Sequence, residues 1–94
     1  MEDCVRFALE KLLTIAHEDA GQGRRVAKFL LAWWNADANG GFDLADLFAV
    51  DRAVSEDMAT IFTSLAREED AVYPTDYRGE LESIIKRWRP QTDG

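Results

Sequence analysis

Between Glu2 and Asp19 the apolar residues Val5, Ala8, Leu9, Leu12, Leu13 and Ala16 recur at steps of three and four, while Arg6, Glu10 and Lys11 fall elsewhere. That spacing is the stripe of an amphipathic helix. Two glycines in Ala20-Gly21-Gln22-Gly23 then favour a turn. From Arg24 the helical pattern resumes, with Val26, Phe29, Leu30 and Trp33 on one side and Leu31, Ala32 and Trp34 filling the remainder. A helix apolar beyond one face must be covered on more than one face, so residues 24–34 are expected at the centre of a bundle.

Asn35 to Gly41 is polar and glycine-bearing and reads as a loop. Asp43 is the expected N-cap of the next helix, and Asp46 stands where a capping box puts its acidic partner. Phe42 and Leu47 have the spacing of a hydrophobic staple. From Leu44 an apolar stripe runs through Leu47, Phe48, Val54, Met58, Ile61, Phe62 and Leu65. Asp51 interrupts it, so one long helix, or a short one followed by a longer one, fits equally well. Tyr73-Pro74 is expected to end this stretch. Tyr77, Leu81, Ile84, Ile85 and Trp88 make a last helical face, which Pro90 stops. No stretch alternates with the period of a strand. The predicted fold is therefore all-α, a compact bundle of four to five helices around residues 24–34. One helical domain would span residues 1–90, with a frayed tail at 91–94.

Ninety-four residues suit one domain, and an apolar content of 47% suits a packed one. Eleven basic against eighteen acidic residues give a net charge of −7, which argues against direct nucleic-acid binding and against an anionic membrane surface. The longest apolar run, Phe29 to Trp34, is far short of a membrane span. The N-terminus carries Glu2 and Asp3 where a signal peptide needs basic residues. Cys4 is the sole cysteine, which excludes an internal disulfide and fits a reducing compartment. A cytoplasmic location is the expectation.

The run Gly21-Gln22-Gly23-Arg24-Arg25-Val26-Ala27-Lys28-Phe29-Leu30-Leu31-Ala32-Trp33-Trp34-Asn35-Ala36, followed by Gly41-Phe42-Asp43-Leu44-Ala45-Asp46-Leu47 and Val50-Asp51, resembles a family of short proteobacterial proteins. That family is a domain of unknown function, often encoded on plasmids and integrated mobile elements. The resemblance extends through Tyr73-Pro74 to Trp88-Arg89-Pro90. It implies a helical fold and a mobile-element setting, and it assigns neither an activity nor catalytic residues.

One local pattern suggests a ligand. In residues 35–46 the oxygen-bearing Asn35, Asp37, Asn39, Asp43 and Asp46 occupy positions one, three, five, nine and twelve, with Gly40 at six. An EF-hand loop uses that spacing to surround a calcium ion with six to eight oxygens. Against it, Asn35 is neutral where the motif wants aspartate, Asp46 is short for a bidentate ligand, and no second copy exists to pair with it. The competing reading is a polar turn capped by Asp43, and no cofactor is then expected. His17, the sole histidine, lies nearly four helical turns from Cys4, too far for a shared zinc site, and suits the C-terminal end of a helix dipole. No arrangement of Cys4, Ser55, Ser64, Ser83, Glu80 and Glu82 has the spacing of a catalytic set. The chain is not expected to be an enzyme.

Charge supplies the remaining expectation. Residues 37–70 hold nine acids and two bases, a balance of −7, while nine acids meet nine bases elsewhere. An acidic surface attracts a basic partner by long-range steering, although solvated helix faces and caps also use such charge. Arg24 and Arg25 open a helix, where the dipole disfavours cations, so intramolecular carboxylate partners are expected. Phe29 with Trp33, and Leu30 with Trp34, are more large side chains than one face of a small core absorbs. A partly exposed Trp34 would be a good binding anchor. The expected function is non-enzymatic protein binding, with Trp34, Asp51, Glu56 and Asp57 meeting a partner of basic surface. Homodimerisation fits as well. In the implied mobile-element setting, one such role is inhibition of a host defence system such as CRISPR or restriction machinery. The alternative is a calcium- or magnesium-binding module built on residues 35–46.

Overall fold

The apolar stripe of residues 2–19 does form a helix, α1, Asp3–Glu18, in a computed structural model that describes residues 1–18 and 21–88. Asp3 in its first turn and His17 in its last complement the helix dipole. The His17 Nδ1–H donates to the Leu13 carbonyl at 2.8 Å. Every member of the α1 stripe, from Val5 to Ala16, is buried.

The second helix, α2, spans Gly23–Asn39 and is kinked at Asn35, whose backbone is extended (φ −168°, ψ 89°). The regular part thus ends at Trp34, where the sequence pattern ends it. The expected loop from Asn35 is only partly a loop, because residues 36–39 make one further helical turn. Asn35 causes this: its side-chain oxygen accepts the Ala38 N–H at 3.2 Å, as an N-cap residue does. Gly40 then stops the turn at φ 90°, with its own N–H donating to the Ala36 carbonyl at 2.8 Å. Such a positive φ is what glycine tolerates best.

The stripe from Leu44 to Leu65 divides in two. A 3-10 turn covers Leu44–Ala49, and α3 covers Arg52–Ala66. Asp43 caps the turn as expected, its carboxylate accepting the Ala45 N–H at 2.9 Å. Asp46 does not close a capping box; its carboxylate turns to Arg25 instead, 3.3 Å away. Asp51 precedes α3 in extended conformation without capping it by its side chain. It pairs with Gln22, which accepts the Asp51 N–H at 2.9 Å and donates to its carboxylate at 3.1 Å. α3 ends before the charged run Glu68–Asp70, earlier than Tyr73-Pro74. Pro74 is buried and leads into a second 3-10 turn, Thr75–Tyr77, which feeds α4, Arg78–Trp88. Pro90 and the expected frayed tail at 91–94 lie outside the described residues.

The described residues contain helices and no strand, so the chain is an all-α bundle. Val26, Ala27, Leu30 and Leu31 of α2 sit in the core, as a central helix requires. α1 shares that position, touching α2, α3 and α4. Tryptophan indoles tie the periphery to this frame. Trp33 Nε1–H donates to the Val72 carbonyl at 2.7 Å, and Trp88 Nε1–H donates to the Ala16 carbonyl at 2.8 Å. The start of α2 passes close to the end of α1, and a Cβ on Gly23 would lie 2.9 Å from the Ile15 carbonyl oxygen. Among the described residues, no helix is long and apolar enough to cross a membrane.

Candidate functional site

α2 and α3 both rest on α1, yet they scarcely touch each other. Between them, on the side away from the α1 contact, lies an open groove of about 1030 Å³. Phe29 and Trp33 of α2 form one wall, α3 from Arg52 to Leu65 forms the other, and residues 42–50 close one side. Met58 connects the groove to the core, since its side chain lines the groove while the residue is buried.

The apolar arc of α3 is wider than its neighbours cover. Val54, Met58 and Ile61 are buried, four and three residues apart on one face. Phe62, one position on, is rotated about 100° from Ile61 and is 65% exposed. On the 3-10 turn no residue is buried, and Leu44 and Phe48 are 69% and 93% exposed. The sequence pattern had placed all three of these residues in the core stripe. They instead form an exposed apolar surface along the groove, which monomeric surfaces usually avoid.

The 3-10 turn that carries Phe48 is held at both ends. The Arg25–Asp46 ion pair fixes its middle to α2, which bears out the expected carboxylate partner for Arg25. Phe42 packs edge to face on Phe29, ring centres 5.4 Å apart. The Gln22–Asp51 pair fixes the other end.

Of the residues expected at a partner interface, only Glu56 lines the groove. Asp57 is turned inward and pairs with Lys11 at 3.1 Å, its side chain 15% exposed. Asp51 is engaged by Gln22. Trp34 is half-buried, and the Arg78 guanidinium lies over its ring, 5.2 Å from the centroid. The aromatics that α2 presents to the groove are Phe29 and Trp33, the other pair at four-residue spacing. Phe48, Leu44 and Phe62 were missed as site residues. Their signal was the excess of large apolar residues between Leu44 and Leu65 over what one helix face can bury.

The expected calcium-ligand residues do not converge. Asn35 and Asp43 spend a side-chain oxygen on Ala38 and Ala45 amides, and Asp46 spends one on Arg25. Asn39 is 6% exposed and Asp37 is exposed, both on the helical turn after the kink. Among the described residues, no cluster of three or more histidine, cysteine, aspartate or glutamate side chains is placed to hold a metal ion.

A smaller depression between α1 and α4 is lined by Glu10, His17, Tyr77 and Glu80, among others. Tyr77 is buried there, donating its hydroxyl to Glu10 at 2.7 Å and accepting from the Arg6 guanidinium at 3.1 Å. Burial and the Glu10 hydrogen bond push the Tyr77 phenol above the ordinary tyrosine value, with Arg6 partly opposing them. This cluster ties the second 3-10 turn to α1.

The groove can thus bury apolar surface, and its lining includes neither histidine nor cysteine. No curated protein and no solved structure matches the chain. A family model matches residues 6–89, nearly the whole all-α bundle including both walls of the groove, and the chain belongs to the family of unknown function DUF7673.

Proposed function

We propose that this protein is a non-enzymatic, acidic protein-binding module whose binding surface is the groove between α2 and α3. The observation that carries this reading is the exposure of Leu44, Phe48 and Phe62 along one apolar groove of about 1030 Å³. Surfaces of this kind are commonly interaction sites. The partner is a protein with a basic surface, because the −7 balance of residues 37–70 falls on the chain segment that builds the groove. In the mobile-element setting implied by the sequence resemblance, that partner is a cytoplasmic host protein such as a component of CRISPR or restriction machinery.

Site-specific crosslinking tests the reading. A photo-crosslinking phenylalanine analogue would replace Phe48 in one preparation and Phe7 in another. Phe7 is also exposed, at 62%, but lies on α1 outside the groove. One discrete host protein crosslinked from position 48, and not from position 7, is the expected result. Equal crosslinking from both positions, or none from position 48, refutes the assignment.

A further inference from the structure

We infer that the groove takes a single amphipathic α-helix, apolar on the face it buries and rich in lysine or arginine beside it. This rests on the groove being the binding surface, and it names the form of what binds. The groove follows α3 from Arg52 to Leu65, a length of about 20 Å at the helical rise of 1.5 Å per residue. It therefore accepts a helix of about four turns. The long wall, α3, is a helix whose backbone hydrogen bonds are already internal, and one turn of α2 with residues 42–50 faces it. An extended peptide lying there would find no sheet edge to pair with, and its buried amides and carbonyls would go unsatisfied. A helix brings its own backbone bonds and needs only apolar contact. Laid along α3 and over Phe29 and Trp33, it would cover the apolar surface that α1 and α4 leave open.

Charge selects among helices. Glu56 lines the groove, and Asp43 lies between the lining residues Phe42 and Leu44. Glu68, Glu69 and Asp70 follow the end of α3, are exposed, and make no salt bridge among the described residues. Arg52 in the lining and Arg67 after α3 offset two of these five carboxylates, which leaves a surplus of three. Flanking lysine or arginine on the bound helix meets this excess of carboxylates. A second copy of the chain, itself at −7, brings the same acidic surface against it.

The test uses three synthetic peptides of sixteen residues, read by amide chemical shifts of the isotope-labelled protein. One carries leucine at helical spacing with lysine on the other face. The second replaces each lysine by glutamate. The third keeps the lysine peptide's composition but scatters its leucines. The lysine peptide should shift amides of residues 42–50 and α3, gain helical circular dichroism, and bind at least tenfold more tightly than either control. Phe48→Ser should weaken it at least fivefold without altering the protein's own helicity. No binding by the lysine peptide at millimolar concentration, binding of a control within threefold, or shifts lying outside the groove overturns the inference. So does a concentration-dependent dimer that Phe48→Ser abolishes. Crosslinking from position 48 is read independently, so a groove that binds a partner by some other element remains distinguishable from a groove that binds none.

Discussion

Gly23→Ala and Gly79→Ala are the same chemical change in two helices, and the structure gives them opposite signs. Both glycines lie at the start of a helix, Gly23 in α2 and Gly79 in α4. In a helix interior alanine in place of glycine is favoured by about 0.5–1 kcal/mol, which is an upper bound for these first-turn positions. At Gly79 a new Cβ meets nothing within 4 Å, so nothing opposes whatever part of that gain the first turn allows. At Gly23 the same atom would lie 2.9 Å from the Ile15 carbonyl oxygen and 3.4 Å from the Trp88 ring. The obstructing atom is backbone, not the end of a flexible side chain. Relief requires α1 and α2 to separate there, and the Ala16 carbonyl beside it holds Trp88 at 2.8 Å. Overpacking of this kind costs about 1–3 kcal/mol, which exceeds the propensity gain. In a domain of this size each kcal/mol moves Tm by about 4–8 °C. Thermal and urea melts followed by circular dichroism should therefore show Gly23→Ala below the wild type and Gly79→Ala at or above it. A Gly23→Ala protein as stable as the wild type would refute the close approach of the two helices.

Tyr77→Phe should lower stability near neutral pH by about 1 kcal/mol, through loss of the hydrogen bonds to Glu10 and from Arg6. Because the folded phenol titrates above the unfolded one, the stability it contributes is complete below the ordinary tyrosine value of about 10 and is lost as pH rises through the folded value. The gap between wild type and variant should thus narrow in melts above pH 10; parallel curves would exclude the linkage. Asp43→Ala should speed amide exchange at Ala45 and its neighbours while leaving global Tm nearly unchanged. The capped 3-10 turn buries no residue, so it can open without the core. A global loss approaching 2 kcal/mol, the upper range for a cap, would show the turn to be integral to the fold.

Helix positions were legible because they depend on spacing along the chain. The stripe of α1, the end of regular α2 at Trp34, the cap at Asp43 and the face of α4 all follow from residues within a few positions of one another. Even the break at Asp51 was visible as one of two alternatives. The extra turn at 36–39 is not legible in the sequence, because a polar Asn35 fits a loop or a ligand position as well as a cap. Partnerships across the bundle were illegible in detail. Arg25 was expected to meet a carboxylate, but its choice of Asp46, and that of Lys11 for Asp57, joins elements whose relative placement no local pattern encodes.

The groove belongs to that second kind of information. Hydrophobic periodicity says that Phe62 and Phe48 lie on apolar faces; it does not say what covers a face. The sequence by itself determined that the chain folds as amphipathic helices with its negative charge concentrated in residues 37–70. Tertiary structure decided that α1 packs on both α2 and α3, with α4 also against α2, and leaves a groove between α2 and α3 open. Burial depends on the relative placement of whole helices, so the same stripe residue becomes core at Ile61 and exposed groove at Phe62.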